Sequence, residues 1–303
     1  MNMLLKRLGL IVLFLLAACD GGSRQAEGPR YSNMPAGDAT PLYRLAVHLG
    51  YSPEKLTRTY LPLIEHLNRS VPGARFELEA SRDFPAYQAK FRAREPELLL
   101  PNPWETLEAM KVGYSVIAMA GDAEDFKGLF IVRKESNIRS AADLKGKVVS
   151  YPSPTALAAC IMPQYFLHSL GIDVNKDIDN RYVGSQESSI MHAYLKQAAA
   201  AATWPTSWRL FQKDHPKEAA ELKVLWETPP LMNNSVMVRD DVPPIVRERV
   251  RQGLLDLEHG QAGRKILAGM ETARFHVAND ASYEPVRKFI ERFEREVRPV
   301  EKK

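Results

Sequence analysis

From Leu42 onward the chain alternates short apolar strands with amphipathic helices, and this rhythm constrains its fold more than any single motif. Tyr43 to Val47 reads as a strand. Ser52-Pro53-Glu54 then opens a helix, with Pro near its start and an acid in the first turn. Leu56, Tyr60, Leu63, Ile64 and Leu67 hold helical spacing until Pro72-Gly73 breaks it. The pattern continues through a strand at Arg75 to Ala80, a helix at Phe84 to Arg92, and strands at Leu98 to Leu100, Ser115 to Met119 and Gly128 to Arg133. Ser140 caps a short helix with Asp143 at its third position, a variant of the capping box. After a strand at Val148 to Tyr151, a helix is predicted over Thr155 to Leu170, closed by Gly171. Further strands fit Arg181 to Gly184, Val224 to Trp226 and Ser235 to Arg239. A strand also fits Ala199 to Thr203, although the run Ala198 to Ala202 is locally ambiguous because Ala favours helix; its small residues suit a buried strand under tightly packed helices. Helices at Ile245 to Leu257, Ala262 to Met270 and Tyr283 to Arg298 complete the chain. Such alternation predicts α/β architecture, with parallel sheets covered by helices on both faces.

The first residues bear on location instead. Lys6 and Arg7 precede an apolar run, Leu8 to Leu16, which ends in Leu16-Ala17-Ala18-Cys19. A basic flank, a short apolar stretch and small residues form a secretory signal. The run falls short of the ~20 residues that a membrane span needs. Leu-Ala-Ala-Cys resembles the lipobox of bacterial lipoproteins, in which the cysteine is diacylated and becomes the first mature residue. That resemblance implies lipid attachment at Cys19, and Asp20 resembles the signal for retention on the inner membrane. Stable anchoring needs more than one acyl chain, which such a lipid supplies. Residues 20 to 40, rich in Gly, Pro and polar side chains, read as a flexible tether.

Composition excludes several classes. A formal charge of +4 spread without a basic block gives no support for nucleic-acid binding. Seven histidines show no i,i+4 pair and no His-Glu-x-x-His pattern, so neither a metal site nor a cofactor is expected. With Cys19 lipidated, Cys160 has no intramolecular partner and reads as a small buried hydrophobe. No Gly-x-Ser-x-Gly or P-loop pattern occurs.

The order of elements across Gly128 to Leu195 resembles the periplasmic phosphate/phosphite/phosphonate-binding proteins of ABC transporters. The matching pieces are Val132-Arg133-Lys134, the turn Ala142-Asp143-Leu144-Lys145-Gly146-Lys147, the following helix, and Val183-Gly184-Ser185. A weaker likeness runs from Tyr43 to about Phe293 and includes Trp226-Glu227-Thr228-Pro229-Pro230. The resemblance implies a type II periplasmic-binding-protein fold, with two α/β lobes joined by two crossover strands. Residues 1–18 would be the signal, 19–41 the lipidated tether, 42–134 and 231–303 lobe one, and 135–230 lobe two. It also implies a monomer that closes on a small polar solute, oxyanion or zwitterion, and hands it to an ABC permease. A ligand-sensing subunit for a membrane kinase or cyclase would have the same outward features. An enzyme on this fold would need a reactive Cys or His in the cleft.

Family members hold phosphonate oxygens with a Ser-Thr-Ser run at a helix N-terminus, where free N–H groups and the helix dipole favour an anion. Aligned on Pro163, that run falls on Ala156-Leu157-Ala158, leaving Ser153 and Thr155 as the nearest hydroxyls. A family histidine corresponds to Gln186, beside Glu187, and an acidic residue that engages ligand amines corresponds to Asn234; another lands near Ser207. The resemblance and the loop positions together give Tyr51, Asn102, Trp104, Ser153, Thr155, Ser185, Gln186, Glu187, Trp204 and Asn234 as candidate ligand-binding residues. For several, a structural role competes. Pro101-Asn102-Pro103-Trp104 is equally a rigid turn with Trp104 in the core, and Ser185 suits a helix cap. Of these candidates, Tyr51, Asn102, Trp104, Thr155, Gln186, Trp204 and Asn234 make a neutral, aromatic and amide-lined site, with Glu187 the one remaining charge, and weak binding of 2-aminoethylphosphonate is expected.

Overall fold

The computed structural model describes residues 40–48 and 53–301. The signal, the proposed lipid site at Cys19 and the candidate Tyr51 lie outside them. Eleven strands form two sheets among the described residues. The first contains β1 (Leu42–Val47), β2 (Arg75–Glu79), β3 (Leu98–Leu100), β4 (Tyr114–Ala120), β10 (Ser235–Arg239) and β11 (Phe275–His276), in the order β11-β4-β10-β3-β1-β2. The second contains β5 (Leu129–Arg133), β6 (Val148–Tyr151), β7 (Asp179–Tyr182), β8 (Ala200–Thr203) and β9 (Leu222–Glu227), in the order β7-β6-β8-β5-β9.

Both sheets are mixed, which corrects the expectation of purely parallel ones. Strands β1, β2 and β3 run parallel, as do β6, β7 and β8, each linked by helical crossovers. The strands that pass from one sheet to the other return antiparallel: β10 against β3 and β4, and β5 against β8 and β9. Strand β5 thus belongs to the second sheet, although its residues fall inside the 42–134 segment assigned to lobe one. The first crossing lies between Ala120 and Leu129, and the second between Glu227 and Ser235.

The two crossings are tied together by hydrogen bonds. Thr228 N donates to the Gly128 carbonyl (2.9 Å), Leu231 N to the Phe126 carbonyl (2.9 Å), and the Asn233 side chain to the Asp122 carbonyl (2.9 Å). Gly128 sits where one crossing meets a helix from the second lobe. A Cβ there would lie 2.7 Å from the Ala158 carbonyl oxygen and 2.8 Å from the Pro163 ring, so only glycine permits this approach.

Helices α1 (Pro53–Ser70), α2 (Phe84–Arg92) and α3 (Pro103–Met110) follow β1, β2 and β3. Leu56, Leu63, Ile64 and Leu67 of α1 are buried against the first sheet, as their spacing predicts. The predicted Thr155-to-Leu170 helix opens later and wider: Leu157–Ile161 forms a π-helical turn that leads into α4 (Met162–Ser169). Pro163 explains the wider turn. In an α-helix its ring would crowd the Ala159 carbonyl, and it has no N–H to donate there. Next come α5 (Gln186–Tyr194), α6 (Pro205–Asp214) and the short α7 (Pro216–Ala219), then α8 (Pro244–Leu255), α9 (Gln261–Gly269) and α10 (Glu284–Glu296). Helices α3 and α6 are absent from the sequence reading because each opens with a Pro-bearing turn whose first residues are buried, and in α6 the residues that reach solvent come only in its last turn and at Arg209. Ala200 to Ala202 are fully buried in β8, where their size lets α5 approach closely. Among the described residues, no helix is long and apolar enough to cross a membrane.

Candidate functional site

The cleft lies where the C-terminal ends of β1, β3 and β8 converge with the start of β10, the place where open α/β sheets offer loops and helix N-termini to a ligand. It is a narrow space, lined by His48, Phe84, Asn102, Phe126, the run Ala156 to Ala159, Gln186, Trp204 and Asn234.

Each polar lining residue is held by its own local structure. Asn102 caps α3, its side chain accepting from Trp104 N (3.0 Å) and Glu105 N (3.2 Å), while Glu105 accepts from Asn102 N (3.1 Å) in a capping box. Gln186 opens α5 and accepts from the Thr203 hydroxyl at 2.9 Å. Trp204 ends β8 and packs edge-on against Phe126, with ring centroids 5.8 Å apart. Asn234 precedes β10, its backbone N–H bonded to the Asn233 side chain at 2.8 Å. Asn233 is itself fixed, since its carbonyl accepts from the buried Tyr283 hydroxyl at 2.7 Å.

His48, one residue past β1, was not among the candidates, because nothing in a strand-end histidine sets it apart. Its Nε2 lies 3.0 Å from the Asn234 Nδ2, while His48 Nδ1 and Asn234 Oδ1 are buried without a partner. Burial pushes the imidazole pKa down to about 4, so the ring is neutral at pH 7. Among the described lining residues, none then carries a formal charge.

Of the predicted residues, Asn102, Gln186, Trp204 and Asn234 are brought together at the cleft. The others are placed elsewhere. Trp104 is 3% exposed in the core beneath α3, so the packing alternative describes it. Ser153 and Thr155 bond each other at 3.0 Å behind the cleft, and Thr155 also accepts from Gln88 at 3.0 Å. Ser185 caps α5 by accepting from Ser188 N. Glu187 is exposed and pairs with His215 at 3.0 Å. Cys160, the one cysteine among the described residues, is fully buried with Arg298 3.6 Å from its sulfur, and burial pushes its thiol up to about 12. It is a packed thiol and not a nucleophile.

Behind the lining, hydrogen bonds join the two lobes. Gln88 of α2 donates to both Thr155 and Glu105 (3.2 Å), and Asn102 Nδ2 reaches the Thr155 carbonyl at 3.4 Å. Glu105 is fully buried, and desolvation pushes its carboxyl up to about 7 despite those two bonds. One apolar cluster also spans the gap, placing Leu157, Ile161 and Trp204 beside Phe84, Tyr87 and Trp104. The lobes are therefore in contact through both polar and apolar groups.

Residues 45–283 match the family described as ABC transporter, phosphonate, periplasmic substrate-binding protein. The chain belongs to that family. Its members are substrate-binding components of transport and not enzymes, and they work outside the cytoplasm. Among curated proteins, it is 25% identical over 184 residues to "Probable ABC transporter phosphite binding protein PhnD1" of Prochlorococcus marinus; the match covers 56% of this chain and 62% of the relative's length. Two solved structures share the fold. A binding-protein component of an ABC phosphonate transporter from Pseudomonas aeruginosa superposes with a TM-score of 0.77 at 17% identity, covering 84% of this chain and 87% of its own. PhnD1 of Prochlorococcus marinus in complex with methylphosphonate gives 0.76 at 18% identity, covering 84% and 99%. The architecture is thus the type II periplasmic-binding-protein fold, two α/β lobes joined by two crossings.

Proposed function

We propose that this chain is a lipid-anchored solute-binding protein, tethered through Cys19 to the periplasmic face of the inner membrane. It closes its lobes on a small polar solute, presents that solute to an ABC permease, and acts as a monomer. The carrying observation is the cleft itself: Asn102, Gln186, Asn234, Trp204 and neutral His48 face the apolar helix opening Ala156 to Ala159. Burying a second negative charge in a site without a cation costs several kcal/mol, so the solute carries at most one net negative charge. The first N–H groups of the helix at Leu157 lack intrahelical acceptors and supply an anion-facing end. The family resemblance puts the hydroxyl run at Ala156-Leu157-Ala158, so here the backbone acts without hydroxyl help. No acidic side chain among the described lining residues receives a ligand amine. Closure follows from differential affinity: a solute that bridges the walls favours the closed arrangement that the lobe contacts already allow.

A thermal-shift screen of the full chain in detergent, over phosphate, phosphite, alkylphosphonates, sulfonates and small amides, tests this. A stabilising solute raises the melting temperature with the logarithm of its concentration above Kd. Weak binding of 2-aminoethylphosphonate is expected. Submicromolar binding of that compound would overturn the neutral-cleft reading. Absence of the lipid at Cys19 in the mass of the protein from native membranes would overturn the anchor.

A further inference from the structure

We infer that Arg298 is a positioning residue for solute binding: from the C-terminal segment it holds both ends of the turn that opens the cleft-lining helix, although it is not itself among the described lining residues. This rests on the solute-binding reading and goes beyond it, to a residue that acts through others.

The inference starts where α10 ends. Val286, Ile290 and Phe293 bury the apolar stripe of that helix in one cluster with Leu99 and Trp104 of the first lobe. Past Glu296 the chain leaves the helix, and Pro299 disfavours helical backbone at Arg298. Arg298 lays its guanidinium over the Phe293 ring, 5.2 Å from the centroid, and reaches the second lobe. Its Nε donates to Gln164 Oε1 at 2.9 Å and its Nη2 to the Pro154 carbonyl at 3.0 Å, while Nη1 gathers the Pro299 and Val300 carbonyls at 2.9 and 3.2 Å. Every one of these bonds ends on an uncharged oxygen. The acids beside it in sequence are bonded to other groups: Glu294 accepts from Val300 N, Glu296 from the Tyr165 hydroxyl, and Glu301 from Arg92. A planar fork whose donors meet carbonyls in set directions fixes the spacing of the groups around it.

The groups so held are the ones that set the helix opening. Pro154 lies two residues before Ala156, where the cleft-lining run begins, and it has no N–H of its own to anchor it. Gln164 is fully buried in the first turn of α4, and its amide passes the hold on to Asn180 (3.0 Å) and the Tyr182 hydroxyl (3.3 Å) of β7. Arg298 thus grips the π-helical turn Leu157–Ile161 before it, at Pro154, and after it, at Gln164. Gln88 and Asn102 of the first lobe hold the next residue, Thr155. The C-terminal segment then returns to the first lobe through Glu301, which takes Arg92 of α2 at 2.8 and 2.9 Å. Backbone N–H groups recognise a solute only as well as the turn that carries them is placed, so this grip serves binding without touching solute.

The test pairs hydrogen exchange on the ligand-free full chain with calorimetric titration of methylphosphonate. Where the wild type prefers another solute of the thermal-shift screen, that solute replaces methylphosphonate. Ile161 N bonds the Ala156 carbonyl at 3.1 Å and Met162 N the Leu157 carbonyl, so these two amides report closure of the turn. In Arg298→Ala they are expected to exchange about ten-fold faster while the amides of β1 keep their rates, and affinity should fall about ten-fold. Arg298→Lys keeps the charge and most of the apolar stem, and it serves where Arg298→Ala fails to fold. It should show most of both losses, because one ammonium cannot span Gln164 and Pro154. Asn175→Ala cuts a different bond to the same segment, from Asn175 Nδ2 to the Val297 carbonyl (2.8 Å), and should leave the affinity and both amides unchanged. Unchanged exchange at Ile161 and Met162 in the Arg298 variants, or a rise shared equally with β1, overturns the inference. So does faster exchange without loss of affinity, or full recovery in Arg298→Lys. Each of these outcomes spares the solute-binding reading. A wild type that binds neither methylphosphonate nor any solute of the screen overturns both.

Discussion

Behind the cleft, Ser153, Thr155, Gln88 and Glu105 pass hydrogen bonds from one to the next, and the chain ends in the Asn102 backbone. At the front, His48 and Asn234 bond each other and leave Nδ1 and Oδ1 without partners. Each wall holds an amide and one titratable group, and the back wall adds two hydroxyls, yet the two differ in how fully they are bonded. The back wall is complete without a ligand and holds the lobes together. The front wall leaves two buried polar atoms unpaired.

The largest expected effects come from breaking the back wall. Gln88→Ala strips a donor from buried Glu105 and a partner from Thr155, and it leaves a cavity. A loss of about 3–4 kcal/mol is expected in denaturant unfolding of the ligand-free protein. Asn234→Ala removes an acceptor that had no partner together with the one bond to His48 Nε2, so a smaller loss, about 1–2 kcal/mol, is expected in the same assay. Equal losses would erase the contrast between the walls. Gly128→Ala belongs beside them: its Cβ would press on the Ala158 carbonyl and the Pro163 ring where crossing and helix meet. A cost of about 2 kcal/mol is expected, within the range for overpacked sites. Ligand affinity should fall with it, because the helix opening moves.

Acid and base sharpen the contrast further, since the two titratable groups shift in opposite senses. Glu105 stands near 7 against an ordinary 4.5, so the native state holds its proton more tightly. Its stabilisation is full below about 4.5 and is lost as pH rises to about 7, by up to about 3 kcal/mol. His48 stands near 4 against an ordinary 6.5. Its contribution is full above about 6.5 and is lost as pH falls to about 4, by a similar amount. In the wild type the slopes largely cancel between pH 5 and 6.5. Unfolding at several pH values should therefore show Glu105→Gln more sensitive to acid than wild type, and His48→Phe more sensitive to base. Parallel profiles for the two variants would contradict the assigned burial.

How legible these walls are in the sequence differs for the same physical reason. The unbroken apolar run Leu98–Leu100 and the apolar stripe of α1 announce themselves because burial imposes a continuous run on one and a period on the other. Cleft residues at strand ends, Asn102 and Trp204, follow from that rhythm, since loops after parallel strands face the crevice. The back wall carries no such signal. Glu105 looks like an ordinary first-turn acid, and its capping box gives it a reason to exist without any burial. Ser153 and Thr155 have hydroxyls suited to a ligand, but they turn toward Gln88, a residue 67 positions from Thr155. His48 acquires its meaning only from Asn234, 186 positions away in the chain. Local pattern encodes elements; pairing across lobes is encoded by the fold.

The smallest expected effect lies at the rim, where charges meet across the lobes in contact with water. Lys55 of α1 pairs with Asp214 of α6, and Arg209 of α6 clasps Asp125 with two bonds (2.9 and 2.6 Å) and Glu271 at 3.1 Å. These bonds join the same bodies as Gln88 does, but each has at least one partner about a third exposed, so solvent screens them in part. Exposed pairs contribute about 0.2–1 kcal/mol, and added salt weakens them over a Debye length of about 8 Å at 0.15 M. Asp214→Asn should therefore weaken ligand binding by less than about five-fold at low salt, and by nothing measurable near 1 M. Arg209→Lys should cost more, because a single ammonium cannot reproduce the two-pronged bond to Asp125. The salt series is the discriminating measurement. The Gln88→Ala defect should persist unchanged as salt rises, since its partners are buried, while both rim defects fade. A rim defect that survives high salt would mean that these pairs hold the lobes closed as firmly as the buried network does.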